Sequence, residues 1–136
     1  MFNTCIVVAD ASHARFFVHG RTTTPEGVVD KIDERDSLIN PGREGSAGHT
    51  ADHDEKFAHL ITKDLAQLVG TARRLIICAS PRMLGSLRTA GIGHPREGVE
   101  IHEIPHDLVK LSPHQLCEQL ADYGVLPASP PTQITS

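Results

Sequence analysis

Leu75-Ile76-Ile77-Cys78-Ala79, bounded by Arg74 and followed at once by Ser80-Pro81, is the stretch from which the fold can be read. Five apolar residues with no polar alternate are what a strand carries when both faces of its sheet are covered. Ser80 then supplies a helix-capping side chain, and Pro81 a first-turn residue whose missing N–H costs nothing there. Met83, Leu84 and Leu87 continue as one apolar face until Gly91. A covered strand feeding directly into a helix is the unit of a layered α/β domain.

Upstream, Phe57, Leu60, Ile61, Leu65, Leu68 and Val69 recur at helical spacing, with Glu55, Lys56, His59, Thr62, Lys63 and Gln67 between them. This predicts a helix from about Asp52 to Val69, stopped by Gly70 and capped by Thr50 or by Asp52, whose partner three residues on is Glu55. Before it, Thr4 to Ala9, Ala14 to Val18 and Val28 to Ile32 are short apolar runs with turn residues between them, as in an antiparallel meander. The chain from Asp36 to Thr50 carries Gly42, Gly45 and Gly48 and is expected to be the longest loop. Downstream, a strand is expected at about Val99 to Ile104. Ser112-Pro-His-Gln115 is a capping box, with Leu111 placed to staple onto Leu116, and that helix ends at Gly124. The order β-β-β-α-β-α-β-α predicts a three-layer α/β domain on a mixed sheet, the order that ribonuclease H-like folds use. One domain over residues 1–123 is expected, with a Pro/Ser/Thr-rich tail over 124–136 that has too little apolar content to pack.

The chain has 136 residues, 39% hydrophobic and 22% charged, with 13 basic against 17 acidic residues for a formal net charge of -4. This composition excludes a disordered, collagenous or disulfide-built protein. No apolar run approaches the ~20 residues that cross a bilayer, and no basic segment precedes Cys5-Ile-Val-Val-Ala9, so a cytoplasmic protein with no membrane partner is expected. Cys5, Cys78 and Cys117 lie far apart within or beside apolar segments and read as buried free thiols. Nine histidines would let the net charge change sign on mild acidification.

Three chemistries are open to these residues. A two-metal nuclease needs converging carboxylates. Asp10 and Glu55 could fill two places, but the 75–79 strand offers none, so Asp10 reads as a turn residue and Glu55 as a cap partner. His49 and His53, four apart and close to Asp52, Asp54 and Glu55, could ligate a metal, although His53 also extends the apolar stripe toward Phe57. The third is anion recognition. Arg73, Arg74, Arg82, Arg88 and Arg96 fall in a segment with no acidic residue between Leu65 and Arg96, and the Ser80-Pro81 helix start offers free backbone N–H groups. These either contact RNA phosphates or are spread over two faces and solvated. Aromatic stacking platforms are scarce, because Phe16, Phe17 and Phe57 read as core.

Val8-Ala-Asp-Ala-Ser-His-Ala-Arg-Phe-Phe17, Asp54-Glu-Lys-Phe-Ala58, Leu75 to Arg88 and His106-Asp-Leu-Val-Lys-Leu-Ser-Pro-His-Gln-Leu116 together resemble the bacterial host attachment protein family, described as required for attachment to host cells. The resemblance runs from about Met1 to Tyr123. That family is similar in turn to the middle domain of archaeal and eukaryotic class-I peptide release factors, in which a glycine-rich loop enters the long helix. Gly42, Gly45, Gly48 and His49 occupy the corresponding place. The Gly-Gly-Gln that serves hydrolysis in those factors is absent, so no catalytic residue is carried over and no cofactor is expected. The resemblance implies a binding module whose loop, with Arg43, and basic side approach the ribosome, tRNA or a protein partner. A non-enzymatic RNA- or ribosome-associated module, an attachment factor acting through protein contacts, and a hydrolase using the His49 to Glu55 cluster follow in that order.

Overall fold

Cys5, Val7 and Ala9 point to one side of their strand and Ile6 and Val8 to the other, and all five are buried. That is the period of two of an extended chain enclosed on both faces. A computed structural model describes residues 2–40, 51–69, 72–91 and 99–126. Strand β1 (Phe2–Ala9) lies at the centre of a five-stranded sheet. It pairs antiparallel with β2 (His13–Thr24), which pairs antiparallel with the edge strand β3 (Gly27–Ile39). On its other side β1 runs parallel to β4 (Arg74–Ala79), and β4 parallel to the second edge strand, β5 (Glu100–Ile104). The order is β3-β2-β1-β4-β5, a mixed open sheet with the ribonuclease H-like succession of elements.

Helices α1 (Ala51–Val69) and α2 (Pro81–Thr89) cover one face, where Phe57, Ile61, Met83 and Leu87 join Val7, Leu75 and Ile77 in one apolar cluster. Helix α3 (Pro113–Asp122) covers the other, packing Leu116 and Leu120 on Ile6, Val8, Ile76 and Cys78. The continuous apolar run 75–79 is thereby buried from both sides. Cys5 Sγ donates to the Leu68 carbonyl at 3.4 Å, so the end of α1 lies beside the start of β1. The 19-residue helix, about 28 Å long, therefore returns its first turn toward the carboxyl end of the strand.

The structure departs from the sequence-based expectations at four places. β2 and β3 run well past the apolar segments, and Asp36 to Ile39, expected in a loop, belong to β3. The charged stretch Asp33-Glu-Arg-Asp36 hides this strand because an edge strand needs only one hydrogen-bonded neighbour and keeps charged side chains at its rim. Because α1 begins at Ala51, Asp52 falls inside the first turn rather than at the cap, while Thr50 lies outside the described residues. The packed chain continues past 123, with Val125 and Leu126 joining the α3 cluster and Leu126 only 5% exposed. Residues 127–136 lie outside those described.

The start of α3 follows the sequence. Ser112 Oγ accepts the Gln115 N–H at 3.2 Å, the Gln115 side chain accepts the Ser112 N–H at 3.0 Å, and Leu111 packs in the same cluster as Leu116. Ser112→Ala is expected to cost about 1 kcal/mol, read as a lower thermal midpoint with unchanged circular dichroism at room temperature. An unshifted midpoint would show that the cap contributes nothing.

Candidate functional site

From β1 the chain turns to β2 and β3 on one side, then returns through α1 to β4 and β5 on the other, so the direction of winding reverses between β1 and β4. In open α/β sheets the crevice outside the carboxyl ends of the strands at such a point is where ligands bind. Ala9 pairs with Ala79, which places Asp10 and Ser80 side by side at that edge. The Asp10 carboxylate is engaged. Its Oδ1 accepts the N–H groups of Ser12 at 2.7 Å and His13 at 2.6 Å, and its own N–H donates to the His13 carbonyl. It closes the β1–β2 turn, the role read for it from sequence. Asn40, at the end of β3 and 2% exposed, is fixed to the same turn by its N–H on the Ser12 carbonyl and its Nδ2 on the Ala11 carbonyl.

Ser80 caps α2 as expected, in an extended conformation with its hydroxyl accepting the Met83 N–H at 3.3 Å. Fewer N–H groups are open at this start than the sequence alone suggests. Pro81 has none, Met83 donates to the Ser80 side chain and Leu84 to the Ser80 carbonyl. What α2 presents is the positive end of its dipole, a first turn without an acidic residue, and the exposed Arg82.

The other arginines do not gather with Arg82. Arg73 and Arg74 sit at the opposite end of β4, about 20 Å away for six extended residues. Arg73 is exposed, and its carbonyl accepts the Glu100 N–H. Arg74, on the α3 side, pairs through Nε with Glu100 Oε2 at 3.2 Å and donates from Nη1 to the Val125 carbonyl. His102 Nε2 lies 2.6 Å from the same Glu100 oxygen, and His102 followed by Arg74 holds Glu100 below the usual carboxylate range. Arg88, on the α2 side, grips both carboxylate oxygens of Glu103 through Nε and Nη2, and the hydrogen bond raises its already high pKa. The segment without acids in the sequence thus meets its carboxylates from β5. Arg43, Arg96, Gly42, Gly45, Gly48 and His49 lie outside the described residues, as do the side chains of Asp52, His53 and Asp54. Glu55 is exposed on α1, and among the described residues no three histidines, cysteines or carboxylates converge on a metal position.

Burial pushes the Cys5 thiol up and that of Cys78 to about 12, which keeps both protonated and unreactive at neutral pH. Phe16, Phe17 and Phe57 are core, as read. Two constellations escaped the sequence. His106 and Tyr123 stack with ring centroids 5.4 Å apart and planes within 7°, joining the chain after β5 to the end of α3. Arg15 donates from Nη1 to the carbonyls of Val109 and Leu111 at 2.8 and 2.6 Å and from Nε and Nη2 to the Glu34 carboxylate at 3.0 and 2.8 Å, with its guanidinium 4.9 Å from the Phe17 ring centroid. Its signal was a lone arginine inside the apolar run 14–18.

Among solved structures, the chain is similar to two of the Aquifex aeolicus Ppx/GppA phosphatase family, each at 13% identity and TM-score 0.43 over 74% of this chain. It spans about a third of their length, 35% and 34%. Thermus thermophilus RuvC is similar at 11% identity and TM-score 0.46, over 93% of this chain and 82% of that one. No curated protein matches. Residues 40–120, more than half of the chain, match the family model described as protein required for attachment to host cells, and the chain belongs to that family.

Proposed function

We propose that the chain is a non-enzymatic binding module that meets an RNA phosphate backbone, in the setting of the ribosome or tRNA, at the carboxyl edge of β1 and β4. The observation that carries this reading is Arg82, exposed at the acid-free first turn of α2 where the sheet reverses its winding. Arg43 and Arg96 are the further contacts proposed from sequence. Asp10, held by two backbone N–H groups, serves the turn rather than acid–base chemistry. The net charge of -4 keeps non-specific binding weak and leaves recognition to this edge.

Sedimentation of cell lysate through sucrose gradients at low and high salt tests the reading. Salt-sensitive migration with ribosomal particles is expected, and Arg82→Glu should weaken it about tenfold while reducing the salt dependence by about one contact. Arg88→Ala, which removes an arginine already paired with Glu103, should leave migration unchanged. A protein that stays at the top of the gradient at both salts would overturn RNA contact. The family's description, together with the pairing of Arg74 and Arg88, then favours the second reading, in which the same edge contacts a protein.

A further inference from the structure

Asp36 and Asp64 are distant in the chain, and packing sets their carboxyls against each other. Asp36 lies opposite Phe16 in β3, on the side of the sheet that α1 covers. Asp64 lies on α1 between the buried Ile61 and Leu65. Its Oδ2 is shut off from solvent and meets no donor, an expensive state for an ionised carboxylate. Asp36 Oδ1 accepts the Ser37 N–H at 2.8 Å, so only one of the two carboxyls is supported as an anion by the backbone. The helical neighbours of Asp64 at three and four residues, Leu60, Ile61, Gln67 and Leu68, are uncharged, as are the facing Phe16 of β2 and Leu38 of β3. The groups that act on Asp64 are Asp36 and its own burial. Those that act on Asp36 are Asp64, the Ser37 N–H and burial, and no described cation is among them.

We propose that Asp36 and Asp64 form a proton-held clamp between strand β3 and helix α1, closed while the two carboxyls share one proton and loosened by like-charge repulsion when it leaves. The hydrogen bond to Asp36, then burial, push Asp64 up to about 6, while the same bond holds Asp36 below the usual range. The folded pair therefore keeps a proton that the unfolded chain gives up near 3.8. The Asp64 part of the stabilisation is lost as pH rises through about 6, and the Asp36 part, whose folded value is depressed, is lost only as pH falls through that value, so mild acidification from neutrality tightens α1 on the edge hairpin.

Carbon-13 NMR of the carboxyl groups in the full chain tests the clamp. The Asp64 resonance is expected to titrate near 6 and to return to the ordinary carboxylate range in Asp36→Asn. Amide hydrogen exchange, corrected for intrinsic rate, should show α1 residues 57–68 opening about tenfold more often at pH 7.5 than at pH 5, the factor that one unit of pKa shift represents. Asp64→Asn, whose amide can donate to Asp36 at every pH, should abolish that difference and keep the closed level at pH 7.5. An ordinary Asp64 titration in the wild type overturns the proposal, as does an unchanged pH difference in a folded Asp64→Asn. If that variant folds poorly, the wild-type titration and Asp36→Asn decide.

Discussion

Arg15→Ala is expected to lower the unfolding free energy by about 2–4 kcal/mol, because hydrogen bonds to a charged group contribute about 1.5–3 kcal/mol and orphaned acceptors add their desolvation. Four bonds go at once. The Val109 and Leu111 carbonyls, just ahead of the Ser112 cap, lose their donor, Glu34 loses a two-pronged partner, and Phe17 loses the cation beside its ring. The guanidinium fork reaches a carboxylate and two carbonyls together, which an ammonium cannot, so Arg15→Lys should recover only a minor part. Urea unfolding provides the measurement, and pH separates the two halves of the site. Arg15 holds Glu34 below its ordinary 4.5, so the stability from that pair is present above 4.5 and lost as pH falls through the depressed value. The gap between wild type and Arg15→Ala should narrow in acid but stay open, since the bonds to the two carbonyls do not titrate. A midpoint equal to that of the wild type would mean that Arg15 does not hold the chain ahead of α3.

The same arginine marks the boundary of what is legible in one dimension. Apolar runs buried on both faces, such as 75–79, and local devices such as the Ser112–Gln115 box declare themselves within a few residues. Pairings across the sheet do not, because they depend on register. The β2–β3 ladder slips by one residue between Phe16 and Phe17, so that Glu34, rather than Arg35, lies opposite Phe17. One residue of bulge replaces a like charge with a partner on the face of Arg15, as a change of parity must. The candidate site was legible in part. The helix start at Ser80, with Arg82 in its first turn, is local and legible, while the pairing of Arg74 and Arg88 requires β5 to bring Glu100 and Glu103 alongside. Fewer donors are open at Ser80 than the sequence suggests for a local reason, since Pro81 has no N–H and the cap that starts the helix takes that of Met83.

Phe57→Ala carries the largest expected loss, about 3–5 kcal/mol, for deleting a wholly buried aromatic ring from a core that closes only partly around the gap. A domain has about 5–15 kcal/mol in all, so this single change should remove a large share of it. Phe57 belongs to the stripe with Ala58, Ile61 and Leu65 that fastens α1 to β1, β4 and α2. Leu60, one helical turn away but 43% exposed, lies off that stripe, and Leu60→Ala should stay within about 0.5 kcal/mol of wild type. The contrast matters more than either value. Two apolar residues three apart, in one helix and in a sequence pattern that counts both as the same face, differ by several kcal/mol if α1 is rotated as described. That rotation sets which stripe meets the sheet, and the Cys5 contact to Leu68 with the length of α1 runs its first turn toward the carboxyl edge where Asp10, Ser80 and Arg82 lie. Comparable losses at Phe57 and Leu60 in chemical denaturation would show that α1 does not present this stripe to the sheet.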